Sequence, residues 1–197
     1  MKHLVVVIDR SGSMQMIKRD MNGALKEWLD TMTEMDPDAL LTSALFDDQF
    51  ELTNTRTPLS EVRFESLRIV PRGGTALNDA IFKTLANIKA REDALVLIVT
   101  DGGENSSVDA TLAQVKDRIE ELTEQGVQFE YLSASPDAFA HSQAYGFAPQ
   151  ATTQFASNSG GVQTMSSVMD RSSSAYMTRK NTQTVWDTEG DSDADKN

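Results

Sequence analysis

The sequence contains no cysteine and only two histidines among its 197 residues. The chain therefore forms neither a disulfide nor a thiolate metal site, and the wide separation of His3 and His141 argues against a zinc centre. Basic residues are also scarce, because 18 lysines and arginines face 30 acidic residues and give a formal net charge of −12. Such a charge opposes attraction to phosphate backbones and to anionic lipid surfaces. We therefore expect neither a nucleic-acid partner nor a membrane partner.

Long apolar runs are missing as well. The run at residues 4–8 is too short for a signal peptide or a membrane span. No later run approaches the roughly 18 apolar residues that a spanning helix needs. Together with the lack of cysteine, this pattern predicts a cytoplasmic protein.

The length of the chain is that of one domain with a tail. Apolar periodicity continues to about residue 180 and then fails. The last eleven residues contain five acidic residues and one lysine, a composition typical of disordered segments. We expect one domain over residues 1–180 and a disordered acidic tail over residues 181–197.

Two short apolar runs, at residues 4–8 and 95–99, are each followed by polar residues. Neither run alternates with polar residues, which is typical of central strands covered on both faces of a parallel sheet. In open α/β sheets the ligand crevice lies outside the carboxyl ends of the strands. The polar side chains expected at that crevice are those of Asp9, Ser11, Ser13 and Asp101.

The other segments of the chain predict an alternating α/β fold. Asp47 and Asp48 indicate a turn between a strand and a short antiparallel edge strand, whereas the region after that edge strand shows no clear pattern and is expected to be irregular. Apolar residues at spacings of three and four predict the helices. The predicted strands are 4–8, 39–46, 49–52, 95–99, 127–132 and 154–155, and the predicted helices are 17–35, 77–88, 112–122, 137–145 and 162–176.

Thr75 follows two glycines and precedes a predicted helix. This is the position at which an N-cap is expected, so helix capping is one interpretation of its hydroxyl group. A ligand role at the crevice is the other interpretation.

The residues at the strand ends resemble a known motif. Asp9, Ser11 and Ser13 form the pattern D-x-S-x-S, Thr75 follows a glycine pair, and Asp101 lies in T-D-G. In this order they resemble the metal-ion-dependent adhesion site (MIDAS) of von Willebrand factor type A (vWA) domains. The resemblance extends over about residues 2–180, and the short chain is similar to the stand-alone members of bacteria and phages. It implies a three-layer, doubly wound, Rossmann-like fold with a mostly parallel sheet of about six strands, one antiparallel edge strand, and helices on both faces.

The resemblance also implies a role for each of the five residues. Ser11, Ser13 and Thr75 would bind a divalent cation directly, and Asp9 and Asp101 would act through water. Such oxygen ligands favour Mg²⁺ or Mn²⁺, with Ca²⁺ less favoured. Neutral hydroxyl ligands leave the cation with positive charge and an open position, which an Asp or Glu of a protein partner can fill. The implied function is a protein-binding module, with a partner such as an ATPase or a component of a stress-response complex.

A Mg²⁺-dependent phosphohydrolase or phosphotransfer enzyme is the alternative, because such enzymes also place an aspartate and Mg²⁺ at a strand end. The second acidic residue expected two positions after the first is replaced here by Ser11. The sequence also contains no phosphate-binding P-loop, no dinucleotide fingerprint and no G-x-S-x-G nucleophile elbow. We therefore expect that the protein is not an enzyme.

Overall fold

A computed structural model describes residues 1–179, so the predicted acidic tail at 181–197 lies outside the described residues. The strands are β1 (His3–Asp9), β2 (Leu40–Phe46), β3 (Phe50–Pro58), β4 (Ala94–Thr100), β5 (Gln128–Ser133) and β6 (Thr152–Gln154). The helices are α1 (Lys18–Met35), α2 (Leu77–Leu85), α3 (Leu112–Glu124), α4 (Ala138–Ala144) and α5 (Ser159–Thr178). A short 3₁₀ helix, Gly12–Met16, connects β1 to α1.

The six strands form a single sheet in the order β3-β2-β1-β4-β5-β6. β1 pairs in parallel with β2 and β4, and β5 pairs in parallel with β4 and β6, whereas β3 runs antiparallel to β2 at the edge. The chain builds the sheet outward in one direction from β1 and in the other from β4. A topological switch point therefore lies between the carboxyl ends of these two strands. The predicted α/β fold is confirmed.

Residues of β1 alternate between two cores, which explains the uninterrupted apolar run. Leu4, Val6 and Ile8 pack on the face that α1 and α5 cover. Val5 and Val7 pack on the opposite face with α2 and α3. Full burial of each such side chain is worth about 1.5–3 kcal/mol, so β1 is held firmly in the middle layer. The strand thereby fixes the position of the polar residues that follow it.

The edge strand β3 is longer than the sequence predicts. Pairing with β2 continues until Leu40 lies opposite Pro58, although residues 53–58 were expected to be irregular. Thr53 Oγ1 lies 2.7 Å from Ser43 Oγ, and Asn54 Nδ2 donates to the same Ser43 oxygen at 2.7 Å. Because polar cross-strand contacts support this half of β3, its sequence carries no apolar periodicity, and the prediction was wrong there.

The remaining elements agree with the predicted pattern. α3 ends at Glu124, and Gly126, two residues later, has a φ of 94°. β6 begins at Thr152, two residues before the predicted strand. Within residues 1–179, no helix is long and apolar enough to cross a membrane.

His3 lies fully buried at the amino end of β1, opposite the crevice. Its Nε2 lies 2.8 Å from Thr42 Oγ1, and its Nδ1 lies 3.2 Å from Glu92 Oε1. Burial lowers the pKa of His3 to about 4; Glu92 opposes this shift, whereas Arg56 and Lys89 add to it. The folded state therefore contains neutral histidine at neutral pH.

This burial predicts an acid-dependent loss of stability that His3→Gln should reduce. Unfolded histidine binds a proton near its ordinary pKa of about 6.5, whereas folded His3 does so only near 4. The contribution of neutral His3 to the free energy of unfolding is therefore fully present above about pH 6.5. It is lost as the pH falls toward 4, by on the order of 1 kcal/mol per pH unit. Urea denaturation at pH 7 and pH 5 should show a larger decrease for the wild type than for His3→Gln. Equal decreases would contradict the assignment.

Candidate metal centre

Asp9 is the last residue of β1, and its carboxylate is fully buried. Oδ1 accepts a hydrogen bond from the backbone N–H of Ser11 at 2.6 Å, and Oδ2 accepts one from the Thr100 hydroxyl at 2.6 Å. Burial raises the pKa of Asp9 to about 6 in spite of these bonds, and the negative charge of Asp101 raises it further. Asp9 thus connects the carboxyl ends of β1 and β4.

A chain of hydroxyl groups continues from this carboxylate to Asp101. Ser11 Oγ lies 3.1 Å from Ser13 Oγ, and the Ser13 hydroxyl donates to Asp101 Oδ1 at 2.6 Å. Burial raises the pKa of Asp101, although the bond from Ser13 opposes this shift. The structure therefore brings four of the five predicted residues into one hydrogen-bonded cluster.

The fifth residue, Thr75, is buried on a loop that contacts both other loops. Its N–H donates to Asn105 Oδ1 at 2.9 Å, and its carbonyl accepts from the Asn105 N–H at 3.0 Å. A Cβ atom added to Gly102 would lie 3.6 Å from Thr75 Oγ1. On the other side, Gly73 accepts a backbone bond from Gly12 at 3.1 Å. Thr75 is therefore held between the loops that follow β1 and β4.

The glycine before this loop is required by its shape. Gly73 has a φ of 65°, which favours glycine, and an added Cβ would lie 2.3 Å from Asp48 Oδ1. The left-handed backbone is therefore what favours glycine at this position, whereas the exposed Asp48 side chain could move aside from an added Cβ atom.

Thr75 is not the N-cap of α2. The helix begins at Leu77, its N-cap is Ala76, and that residue makes no side-chain capping bond. Within residues 1–179, the Thr75 hydroxyl makes no hydrogen bond at all. The capping interpretation was therefore wrong, and the hydroxyl is free for another role.

The loop after β4 caps α2 instead. Glu104 Oε2 accepts from the N–H of Asn78 at 2.7 Å, and Ser107 Oγ accepts from the N–H of Asp79 at 3.0 Å. The Asp79 carboxylate in turn accepts backbone bonds of 2.7 to 3.1 Å from residues 108–110. A carboxylate is favourable at a helix N-terminus, where unpaired N–H groups carry partial positive charge. These reciprocal bonds fix the loop that contains Asp101.

A cluster of charged residues around the buried Asp47 was missed in the sequence. Asp47 Oδ2 accepts from Arg10 Nε at 2.8 Å and from Arg72 Nε at 2.7 Å, and Oδ1 accepts from the N–H of Gln49 at 2.7 Å. Arg10 also donates to Glu51 Oε2 at 2.7 Å. Burial alone would raise the pKa of Asp47, but the bonds from Arg72, Gln49 and Arg10 lower it. The sequence showed Asp47 only as a turn residue.

His141 was also missed as a neighbour of this edge. A Cβ atom added to Gly103, two residues after Asp101, would lie 3.0 Å from its Cε1 atom. The ring lines a pocket of about 270 Å³ together with Glu104 and Tyr145. His141 reaches this edge because α4 packs there, and the spacing of residues in the sequence does not indicate that packing.

The donor set of the cluster fits a hard divalent cation. Residues 1–179 contain no group of three or more His, Cys, Asp or Glu side chains that could hold a metal, so a cation at this edge would depend on hydroxyl oxygens. The ion pairs of the described part of the chain involve neither Asp9 nor Asp101. The buried carboxylate of Asp9 and the half-buried carboxylate of Asp101 repel each other and lie beside serine and threonine hydroxyls, an arrangement that matches the preference of Mg²⁺ for oxygen ligands and neutralising charge.

A comparison with protein families identifies the fold family. The model described as "VWA domain containing CoxE-like protein" matches residues 1–156. The chain belongs to the vWA domain family. No curated protein matches the chain.

Three solved structures share this fold. Proximal thread matrix protein 1 from the mussel byssus has a TM-score of 0.65 at 13% identity, covering 87% of this chain and 46% of that chain. A second structure of that protein, described as having a zinc-occupied MIDAS motif, has a TM-score of 0.65 at 15% identity over the same shares. A von Willebrand factor type A structure from Catenulispora acidiphila has a TM-score of 0.62 at 14% identity, covering 89% and 42%. This vWA domain thus spans less than half the length of these proteins, and at such identities the likeness shows the fold.

The capping geometry predicts different costs for two substitutions near the site. Glu104→Ala should lower the free energy of unfolding by about 0.5–2 kcal/mol, because it leaves the Asn78 N–H of α2 without its acceptor. Thr75→Val should change it little, since the Thr75 hydroxyl has no partner within the described residues. Urea denaturation of both variants measures the difference. A cost for Thr75→Val as large as that for Glu104→Ala would restore a capping or structural role for Thr75.

Proposed function

We propose that this vWA domain binds a protein partner through Mg²⁺ or Mn²⁺. Ser11, Ser13 and Thr75 would bind the cation directly, and Asp9 and Asp101 would hold its water ligands. The observation that carries this proposal is the cluster of Asp9, Ser11, Ser13 and Asp101, in which one buried and one half-buried acid have hydroxyl and N–H neighbours but no basic partner among the described residues. The resident cation would supply positive charge to this edge of the sheet.

The charge of the domain supports a metal-dependent interaction. The formal net charge is −12, and two of the acidic residues that it includes, Asp9 and Asp101, lie at the crevice itself. An acidic side chain of a partner would be repelled there by like charge. A divalent cation held mainly by neutral hydroxyls would reverse that local interaction and accept an Asp or Glu in its open position. The cation would then join two acidic surfaces.

The proposal includes the absence of catalysis. A phosphohydrolase is the alternative that the same cation would permit, so it needs a direct assay. The purified protein with Mg²⁺ should release no phosphate from nucleoside triphosphates or from a generic phosphatase substrate. Activity that disappears in Asp9→Ala would replace the binding proposal with the enzymatic one.

Metal binding should stabilise the folded domain. A ligand at about 100 times its Kd adds roughly 2.7 kcal/mol, which raises Tm by several degrees for a chain of this size. Thermal denaturation with and without Mn²⁺ should show this shift in the wild type and lose it in the double variant Ser11→Ala, Ser13→Ala. Ser135→Ala, which removes a buried hydroxyl beyond the end of β5, is the matched control and should keep the shift. The same shift in the double variant would mean that the ligands are misassigned.

Thr75 should affect partner binding more than folding. In an affinity capture from a cell lysate, the wild type should retain proteins in Mg²⁺ that chelation with EDTA releases. Thr75→Ala should lose this capture while its circular dichroism spectrum stays that of the wild type, because the hydroxyl makes no bond within the described residues. Undiminished Mg²⁺-dependent capture by folded Thr75→Ala would exclude Thr75 as a ligand.

A further inference from the structure

The Asp47 cluster consists of Asp47, Arg10 and Arg72, and it joins the two loops that contain the predicted hydroxyl ligands. Arg10 lies directly between Asp9 and Ser11, and Arg72 lies directly before the Gly73-Gly74-Thr75 loop. The Nε atoms of both arginines donate to the same oxygen, Asp47 Oδ2, at 2.8 and 2.7 Å. A single carboxylate therefore holds one side chain from each loop.

Main-chain hydrogen bonds also connect these two loops with each other and with the β2–β3 turn. The N–H of Arg10 donates to the carbonyl of Phe46 at 2.7 Å, and the N–H of Arg72 donates to the carbonyl of Arg10 at 2.9 Å. The N–H of Ala76 donates to the carbonyl of Asp47 at 2.7 Å. Arg72 before Thr75 and Ala76 after it are thus both hydrogen-bonded to Asp47 in the β2–β3 turn.

The burial of the cluster makes its charge balance important. Asp47 is fully buried, and the Arg10 side chain is 9% exposed. Removing one partner of a buried charged pair leaves the other charge without compensation, which is strongly unfavourable. If Asp47 lost its charge, Glu51 would be the one anionic partner left to Arg10 among the described residues, and its side chain is 57% exposed. The geometry of both loops therefore depends on this carboxylate.

We propose that Asp47 is a positioning residue of the metal centre, which holds Ser11 and Thr75 at the same cation through Arg10 and Arg72. Asp47 itself touches none of the proposed ligands by its side chain; it acts through the two arginines. This inference rests on the proposed function for its metal readout, and it has a second readout that needs no metal.

The metal readout compares two acid–arginine pairs, Asp47–Arg72 and Glu92–Arg56, at opposite ends of the sheet. Asp47→Asn and Arg72→Gln should each weaken the Kd for Mn²⁺ by about 10- to 100-fold, as loss of a residue that orients metal ligands typically does. Glu92→Gln is the matched control, because Glu92 pairs with Arg56 and lies beside His3 at the amino ends of the strands. It should lower Tm without changing the Kd. Isothermal titration calorimetry, at a temperature at which all variants are folded, measures the Kd.

The metal-free readout is amide hydrogen exchange. The N–H groups of Gly12 and Ala76 bond across the loops, to Gly73 and to Asp47. In metal-free Asp47→Asn, both should exchange faster relative to the amides of β4 than they do in the wild type. In Glu92→Gln this ratio should remain that of the wild type.

Coupling between the two side chains completes the test. Because Asp47 acts partly through Arg72, the double variant Asp47→Asn, Arg72→Gln should weaken Mn²⁺ binding by less than the product of the single effects. Arg72→Gln keeps the test available if Asp47→Asn fails to fold, since the Arg72 side chain is 55% exposed.

The possible results separate this inference from the proposed function. Unchanged Kd and unchanged exchange in Asp47→Asn and Arg72→Gln would overturn the positioning role, as would an equal loss of affinity in Glu92→Gln. A wild type that binds no Mn²⁺ would overturn the proposed function. Faster exchange of Gly12 and Ala76 in Asp47→Asn would then still support the role of Asp47 in holding the two loops together.

Discussion

A carboxylate that leaves water needs hydrogen-bond donors, and Asp9 obtains them from the ends of two neighbouring strands. The bond from Thr100 to Asp9 is possible only because β1 and β4 pair in a register that places Ile8 beside Val99. That register also brings Asp101, the next residue, to the Ser13 hydroxyl. The geometry of the crevice therefore follows from burial of a single charged group at the end of a strand that is apolar on both faces.

The acids of the fold are balanced in two different ways. Glu92, beside neutral His3, is bonded to Arg56, and Asp47 is bonded to Arg10 and Arg72, so opposite charges lie together at both places. At the carboxyl ends of β1 and β4, Asp9 and Asp101 instead accept hydrogen bonds from hydroxyl groups, and no ion pair of the described residues includes them. An incomplete charge balance of this kind is common where a protein binds a ligand of opposite charge. The contrast distinguishes a structural polar cluster from a candidate binding site within the same fold.

Local patterns in the sequence indicated the sheet and the residues that cluster at its edge, but they did not indicate the residues that support this cluster. Each of these patterns lies within one continuous stretch of sequence, as do the apolar runs of β1 and β4 and the D-x-S-x-S segment. Such patterns can be recognised without knowledge of the tertiary structure. Asp47 instead acts on residues 37 and 25 positions away, and Glu104 accepts a hydrogen bond from Asn78, 26 positions earlier in the chain. Such contacts depend on the tertiary arrangement, which no single sequence pattern specifies. The second half of β3 was missed for a related reason, because polar contacts with β2 replace the apolar alternation that marks most strands.

Both outer strands have features that hinder pairing with another copy of the sheet. β3 has an irregular register against β2, polar side chains, and a positive φ of 52° at Arg56. At the other edge of the described sheet, β6 contains only three residues. Irregular, charged or very short edge strands are poor templates for a further strand. Both edges of the described sheet therefore disfavour the addition of a strand from a neighbouring molecule, which is the step by which separate sheets join into larger assemblies.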